Sequence, residues 1–186
     1  VFSLLLQAPK WTMIGLGTTA TMAGLIKLPA NVGALFAGPL CGWLTQRSGG
    51  RRAMALGGLI ATAGWVLAIF KHDSLLMLGI IISLLTFGTT ILFAVGPTIL
   101  VDAAPSDRTS EAIGMLTVVR QAFVGIGAQI TAVLLAVETV AAPGGGASYP
   151  SANAFILTMA VIALTCIAAV LLSFALPKGR HEARDM

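Results

Sequence analysis

Residues 53–70, 74–101, 121–137 and 152–177 contain no Asp, Glu, Lys or Arg. Nothing else in the chain restricts its fold so severely. Each run is close to, or longer than, the roughly 20 apolar residues that cross the hydrocarbon core of a bilayer. Soluble core helices are rarely so long and so uniformly apolar. In the whole chain 57% of residues are hydrophobic and 10% charged, against roughly 25% charged in a soluble domain. A water-facing surface cannot be built from that supply. The fold class expected is an all-α membrane protein.

The net charge of +4 raises the question of a nucleic-acid partner, but the basic residues sit mainly in short gaps between apolar runs, as topology determinants do. The expected partner is membrane lipid, with no nucleic acid. Cys41 and Cys166 lie inside apolar spans and read as small buried hydrophobes, not as a disulfide framework.

Residues 1–8 are apolar, yet as a helix they cover only about 12 Å of a core roughly 30 Å thick. They read as the end of a truncated helix, and the molecule as a fragment. Complete spans are expected at about 18–45, 53–70, 74–101, 110–137 and 152–176, with a polar tail at 177–186. Gly96-Pro97 is expected to interrupt the third of these, Asp107 or Ser106 to cap the fourth, and residues 138–151, rich in Gly and Pro, to form a flexible loop. Arg47, Arg51, Arg52, Arg108, Lys178, Arg180 and Arg184 then fall on one side of the membrane, and Lys10 and Lys71 on the other. The positive-inside rule makes the arginine side, and with it the C-terminus, cytoplasmic.

Small residues recur at spacings of three or four along several spans. One stripe runs Ala20, Gly24, Lys27, Asn31, Ala34, Gly38, Gly42; another runs Gly79, Ser83, Thr86, Thr90, Ala94; a third runs Gly114, Thr117, Gln121, Gly125, Ala128, Ala132. Such faces let helix backbones approach closely in lipid, with Gly38-x-x-x-Gly42 the sharpest instance. Lys27 and Arg120 break the apolar rule. A charge well inside a span costs several kcal/mol unless it meets a partner or an aqueous cavity. Two readings stand: snorkelling or pairing with backbone carbonyls, and a polar lining of a solute path or a charged lock between helices.

The segment Gly42-Trp43-Leu44-Thr45-Gln46-Arg47-Ser48-Gly49-Gly50-Arg51-Arg52 is the most specific. Its order of small residue, Leu, Arg, Gly and Arg-Arg resembles the short cytoplasmic loop signature of the major facilitator superfamily, Gly-x-Leu-x-Asp-Arg-x-Gly-Arg-Arg. Gln46 stands where that family has an acidic residue, and an extra glycine lengthens the turn. The acidic residue's part in locking helices is therefore not carried over. Ala23-Gly24-Leu25-Ile26-Lys27-Leu28-Pro29 is similar to helix 8 of the drug:proton antiporters of that superfamily. Pro105 to Gly114, Val119-Arg120-Gln121 and Gly125-Ile126-Gly127 are similar to its loop 10–11 and helix 11. The resemblance covers nearly the whole chain in order and topology.

It implies the C-terminal six-helix half of a major-facilitator-type bundle, multi-pass in the plasma (cell inner) membrane, whose partner is a missing N-terminal transmembrane half. It also implies proton-coupled efflux of small drug-like or amphiphilic molecules by alternating access. Ser83, Thr86 and Thr90 would line the cavity. Lys27, Asn31, Arg120 and Gln121 would lie at the interface between halves, and Gly96 and Pro97 would let their helix bend. The spans hold no Asp or Glu away from their ends, where Asp102, Glu111 and Glu138 lie, so a coupling carboxylate is expected in the other half. Uptake of a metabolite or organic anion is an alternative within the same fold, and a non-transporting scaffold is one outside it. Membrane hydrolysis calls for patterns such as His-Glu-x-x-His or Gly-x-Ser-x-Gly, and neither occurs. No enzyme activity, metal or cofactor is expected.

Overall fold

A computed structural model describes residues 1–175 of the chain apart from Met13, Asp73, Gly144 and Ala147. The expected tail at 177–186, and with it Lys178, Arg180 and Arg184, lies outside the described residues. Over the described residues the chain is an all-α bundle of six helices: α1 (Phe2–Gln7), α2 (Ala20–Ser48), α3 (Gly50–Phe70), α4 (Leu75–Ala103), α5 (Thr109–Ala136) and α6 (Ala152–Ala175). The last five are long and apolar enough to cross a membrane. Even α3, at 21 residues, reaches about 31 Å at 1.5 Å per residue, the thickness of the hydrocarbon core.

Local chemistry explains where the helices begin and end. Thr19 caps α2 by accepting from the Met22 N–H at 3.3 Å, and Ser151 caps α6 through the Ala154 N–H at 3.1 Å. The expected loop at 46–52 is almost wholly helical. Only Gly49 leaves the helical path, at φ +80°, ending α2 and starting α3. Its N–H still donates to the Thr45 carbonyl at 3.0 Å. A residue without Cβ adopts that backbone freely, so one glycine is enough to reverse the chain. The cap of α5 is also corrected. It is Arg108, with no side-chain hydrogen bond, and the Thr109 hydroxyl instead donates to the Pro105 carbonyl at 3.2 Å.

Two further expectations are corrected. Gly96-Pro97 does not interrupt α4, which runs on to Ala103 with Pro97 inside it. The loop at 138–151 is not unstructured. Strands β1 (Thr139–Ala141) and β2 (Ser148–Pro150) pair antiparallel with Val140 opposite Tyr149, and Gly145 and Gly146 supply positive φ in the turn. The Tyr149 ring meets Trp11 edge-on at 5.5 Å, joining the hairpin to the α1–α2 connection.

The buried side chains form two clusters at opposite ends of the bundle. One joins Leu5 and Leu6 of α1 to Ala23 and Ala30 of α2, Leu78 and Ile81 of α4, and Phe155 and Met159 of α6. The other joins Ala37 and Cys41 of α2 to Ala53 of α3 and Ile91 and Val95 of α4. Between them α3 lies against α4 and α6 through glycines. A Cβ on Gly88 would sit 2.7 Å from the Gly57 carbonyl oxygen and 2.7 Å from the Ala61 nitrogen, and one on Gly58 would strike Val170 at 2.5 Å. The two helices therefore touch backbone to backbone. In α5, by contrast, no residue is fully buried.

Candidate functional site

A groove of about 730 Å³ opens between α2 and α4. Met22, Ile26, Pro29 and Gly33 form one wall, and Gly79, Ile80, Ser83 and Phe87 are prominent in the other. Gly33 and Gly79 make the space by having no side chain. Ser83 is the only polar side chain in the lining, and its hydroxyl donates to the Gly79 carbonyl at 2.7 Å. The volume is that of a drug-sized ligand, and the walls are suited to apolar surface.

Three other hydroxyls of α4 follow the same rule. Thr90 donates to the Thr86 carbonyl at 2.7 Å, Thr89 to the Leu85 carbonyl at 2.7 Å, and Thr98 to the Val95 carbonyl at 2.7 Å. Back-bonding satisfies each proton without water, leaving only acceptor lone pairs to offer. Thr86 and Thr90 are half-buried and stand outside the groove lining. Of the three hydroxyl residues named from the sequence, Ser83 alone reaches it.

Lys27 and Arg120 engage different helices. The Lys27 ammonium donates to the Ser3 hydroxyl of α1 at 2.5 Å, and Asn31 one turn on is exposed. Arg120 on α5 reaches α4. Its Nη2 donates to the Phe93 carbonyl at 3.4 Å, and its guanidinium carbon lies 5.0 Å from the centre of the Phe93 ring. Gly96 faces the same guanidinium, 3.4 Å from where its Cβ would be. Gln121 is exposed. Among the described residues neither cation meets a carboxylate, and the one ion pair is the exposed Asp107–Arg108 contact at 3.9 Å.

The arginine turn binds through rings. Arg47 lies 5.3 Å over Trp43 of its own helix, and Arg51 lies 5.6 Å over Phe174 of α6. A Cβ on Gly50 would be 2.7 Å from Ile99 of α4, so the second glycine lets the start of α3 press against α4. Arg52 and Gln46 are exposed. With Gln in place of the family's acid, the turn is held by cation–π contact and close packing.

The close packing expected at Gly38, Gly42 and Gly125 does not occur within this chain. A Cβ at any of the three would meet nothing within 4 Å. The reason is rotational: α2 turns Ala23, Ala30, Ala37 and Cys41 inward, which points its glycine stripe away from its neighbours. The glycines that do carry the bundle are Gly57, Gly58, Gly64 and Gly88, which the sequence reading missed. Their signal was present in Gly57, Ala61 and Gly64, spaced four and then three apart on the run from 53 to 70. No group of three or more His, Cys, Asp or Glu that could hold a metal occurs among the described residues.

A comparison with curated proteins returns no match. The family model of the Major Facilitator Superfamily matches residues 2–185, nearly the entire chain, and the chain belongs to that superfamily of membrane transporters.

Proposed function

We propose that this bundle is the C-terminal six-helix half of a proton-coupled exporter of small amphiphilic compounds, working by alternating access. The observation that carries this reading is the α2–α4 groove: about 730 Å³, walled by apolar side chains, with Ser83 as its single polar side chain. Such a site favours a ligand with a large apolar body and few hydrogen-bonding demands. Superfamily membership makes the chain part of a transporter rather than an enzyme. The outward small-residue faces of α2 and α5, which carry Lys27, Asn31, Gln121 and Gly125, are then the surfaces that meet the other half. The bundle lies in the plasma (cell inner) membrane with the arginine turn and the C-terminus cytoplasmic. The coupling carboxylate lies in the other half, because residues 18–45, 53–70, 74–101 and 152–175 contain no acid and Glu111 stands in the first turn of α5.

The test is to fill the groove. Gly79→Leu and Ser83→Phe, introduced into the intact carrier, should each slow the export of a lipophilic cationic dye into inside-out vesicles at least tenfold while leaving the protein's amount in the membrane unchanged. Undiminished efflux from both variants would refute the groove as the solute path.

A second reading, uptake of an organic anion, draws on Lys27 and Arg120, which have no carboxylate partner among the described residues. Replacing both with Gln should abolish organic-acid uptake under the second reading, and uptake that survives in both the Lys27→Gln and Arg120→Gln variants would exclude it.

A further inference from the structure

Pro97 lies inside α4, which continues past it for six residues to Ala103. In an α-helix the N–H of each residue donates to the carbonyl four residues back. Proline has no N–H, so the carbonyl it deprives is that of Phe93. Inside a membrane such a freed carbonyl is re-satisfied by a neighbouring helix, a Ser or Thr hydroxyl or an ordered water; of the interior prolines Pro29, Pro39 and Pro97, Pro97 alone has, among the described residues, a side chain from another helix donating to the carbonyl it frees. The Thr98 hydroxyl, one residue on, is spent on Val95 instead. The group that does reach Phe93 is the Arg120 guanidinium, through Nη2 at 3.4 Å.

The same turn of α4 is shaped to receive that cation in two further ways. The Phe93 ring presents its face to the guanidinium at 5.0 Å, where the ring quadrupole attracts a positive charge most strongly when water is excluded. Gly96 keeps the approach open, since its absent Cβ would stand 3.4 Å from Nη2. Carbonyl, ring and glycine notch therefore converge on one cation from a neighbouring helix. That helix has little else to hold it: no residue of α5 is fully buried, and this is its one hydrogen bond to another helix among the described residues.

We infer that Arg120 is a positioning residue, supplying from α5 the hydrogen bond that Pro97 removes from α4 and so tying α5 to the proline turn. An interior proline and an intramembrane charge that has no counter-ion among the described residues satisfy each other. The contact holds irrespective of what the carrier moves, and its test does not depend on any substrate.

The test is a pair of substitutions that should not add. Arg120→Met keeps length and removes the donor; Pro97→Ala restores the N–H that serves Phe93. Amide hydrogen exchange along α5 in the intact protein is the readout. R120M should speed exchange about tenfold in the Pro97 background, the scale of losing a charged hydrogen bond, and by less than about threefold in the P97A background. R120K, which keeps one donor, should stay within about threefold of the parent. An arginine that acted only as bulk in the membrane would not be suppressed by P97A. Equal acceleration in both backgrounds, or none in the first, overturns the inference. If R120M alone fails to accumulate, the double variant decides: recovery of the parental amount in the membrane is expected, and its failure to recover overturns the inference.

Discussion

Gly88→Ala is expected to wedge α3 from α4. The added Cβ would lie 2.7 Å from the Ala61 nitrogen and from the Gly57 carbonyl oxygen, and 3.1 Å from the Ala61 Cα. All three are backbone atoms, so no rotamer can yield. Moving the closest pair out to the 3.4 Å where ordinary contact begins requires the helices to part by about 0.7 Å. A gap of that size forfeits roughly a quarter to a half of each dispersion well along the seam, and overpacking of this kind costs about 1–3 kcal/mol. The better helix propensity of alanine returns up to about 1 kcal/mol. The net loss spans about 0–3 kcal/mol and centres on about 1.5 kcal/mol, which for a chain of this size lowers Tm by roughly 3–6 °C. Thermal unfolding of the purified protein in detergent reads this directly. Gly127→Ala is the control, since its Cβ meets nothing within 4 Å and it lies off the small-residue stripe of α5, and it should leave Tm unchanged or slightly raised. If the two variants melt together, the seam is not what holds α3 to α4.

The turn and the Lys27 contact give two further expectations. Gly49 sits at φ +80°, ψ 153°, a region essentially reserved for glycine, where a side chain costs about 1–3 kcal/mol. Gly49→Ala and Gly49→Asn should lower Tm alike, because Asn is tolerated at the left-handed helical ψ and not at this one; a clear advantage for Asn would contradict the geometry. Ser3→Ala takes away the acceptor of the Lys27 ammonium and should cost about 1–3 kcal/mol, because a half-buried charge loses its partner. Adding Lys27→Met should restore most of that loss, and a double variant no more stable than Ser3→Ala would show that the contact is idle.

Much of the architecture was legible along the chain, because lipid imposes a one-dimensional constraint. A span must be apolar over a bilayer's thickness, and that depends on consecutive residues alone. Hence the uncharged runs point directly to helices, and the arginines between α2 and α3 mark a turn. How short that turn is was not legible. Arg, Gln and Ser all continue a helix acceptably, so residues 46–52 read as a loop, whereas one positive-φ glycine suffices. The hairpin at 139–150 was hidden for the opposite reason. Its Gly and Pro content signals flexibility, while strand pairing depends on which residues end up opposite one another.

Lys27 and Arg120 mark most clearly how far the sequence reaches. As charges inside apolar spans they stood out at once, for solvation energy is a property of depth in the span. What each one touches is not. Arg120 meets Phe93, 27 residues away in the chain, only because α5 and α4 cross at that level. Likewise, spacing alone marks Gly38 and Gly42 as strongly as Gly57 and Gly64, yet only the second pair has a helix against it. The sequence by itself determined the membrane-spanning helices, their order and the residues that violate the apolar rule. The tertiary structure decided which face of each helix is covered, where the groove opens and what receives the arginine, because those depend on how the helices are rotated and crossed in three dimensions.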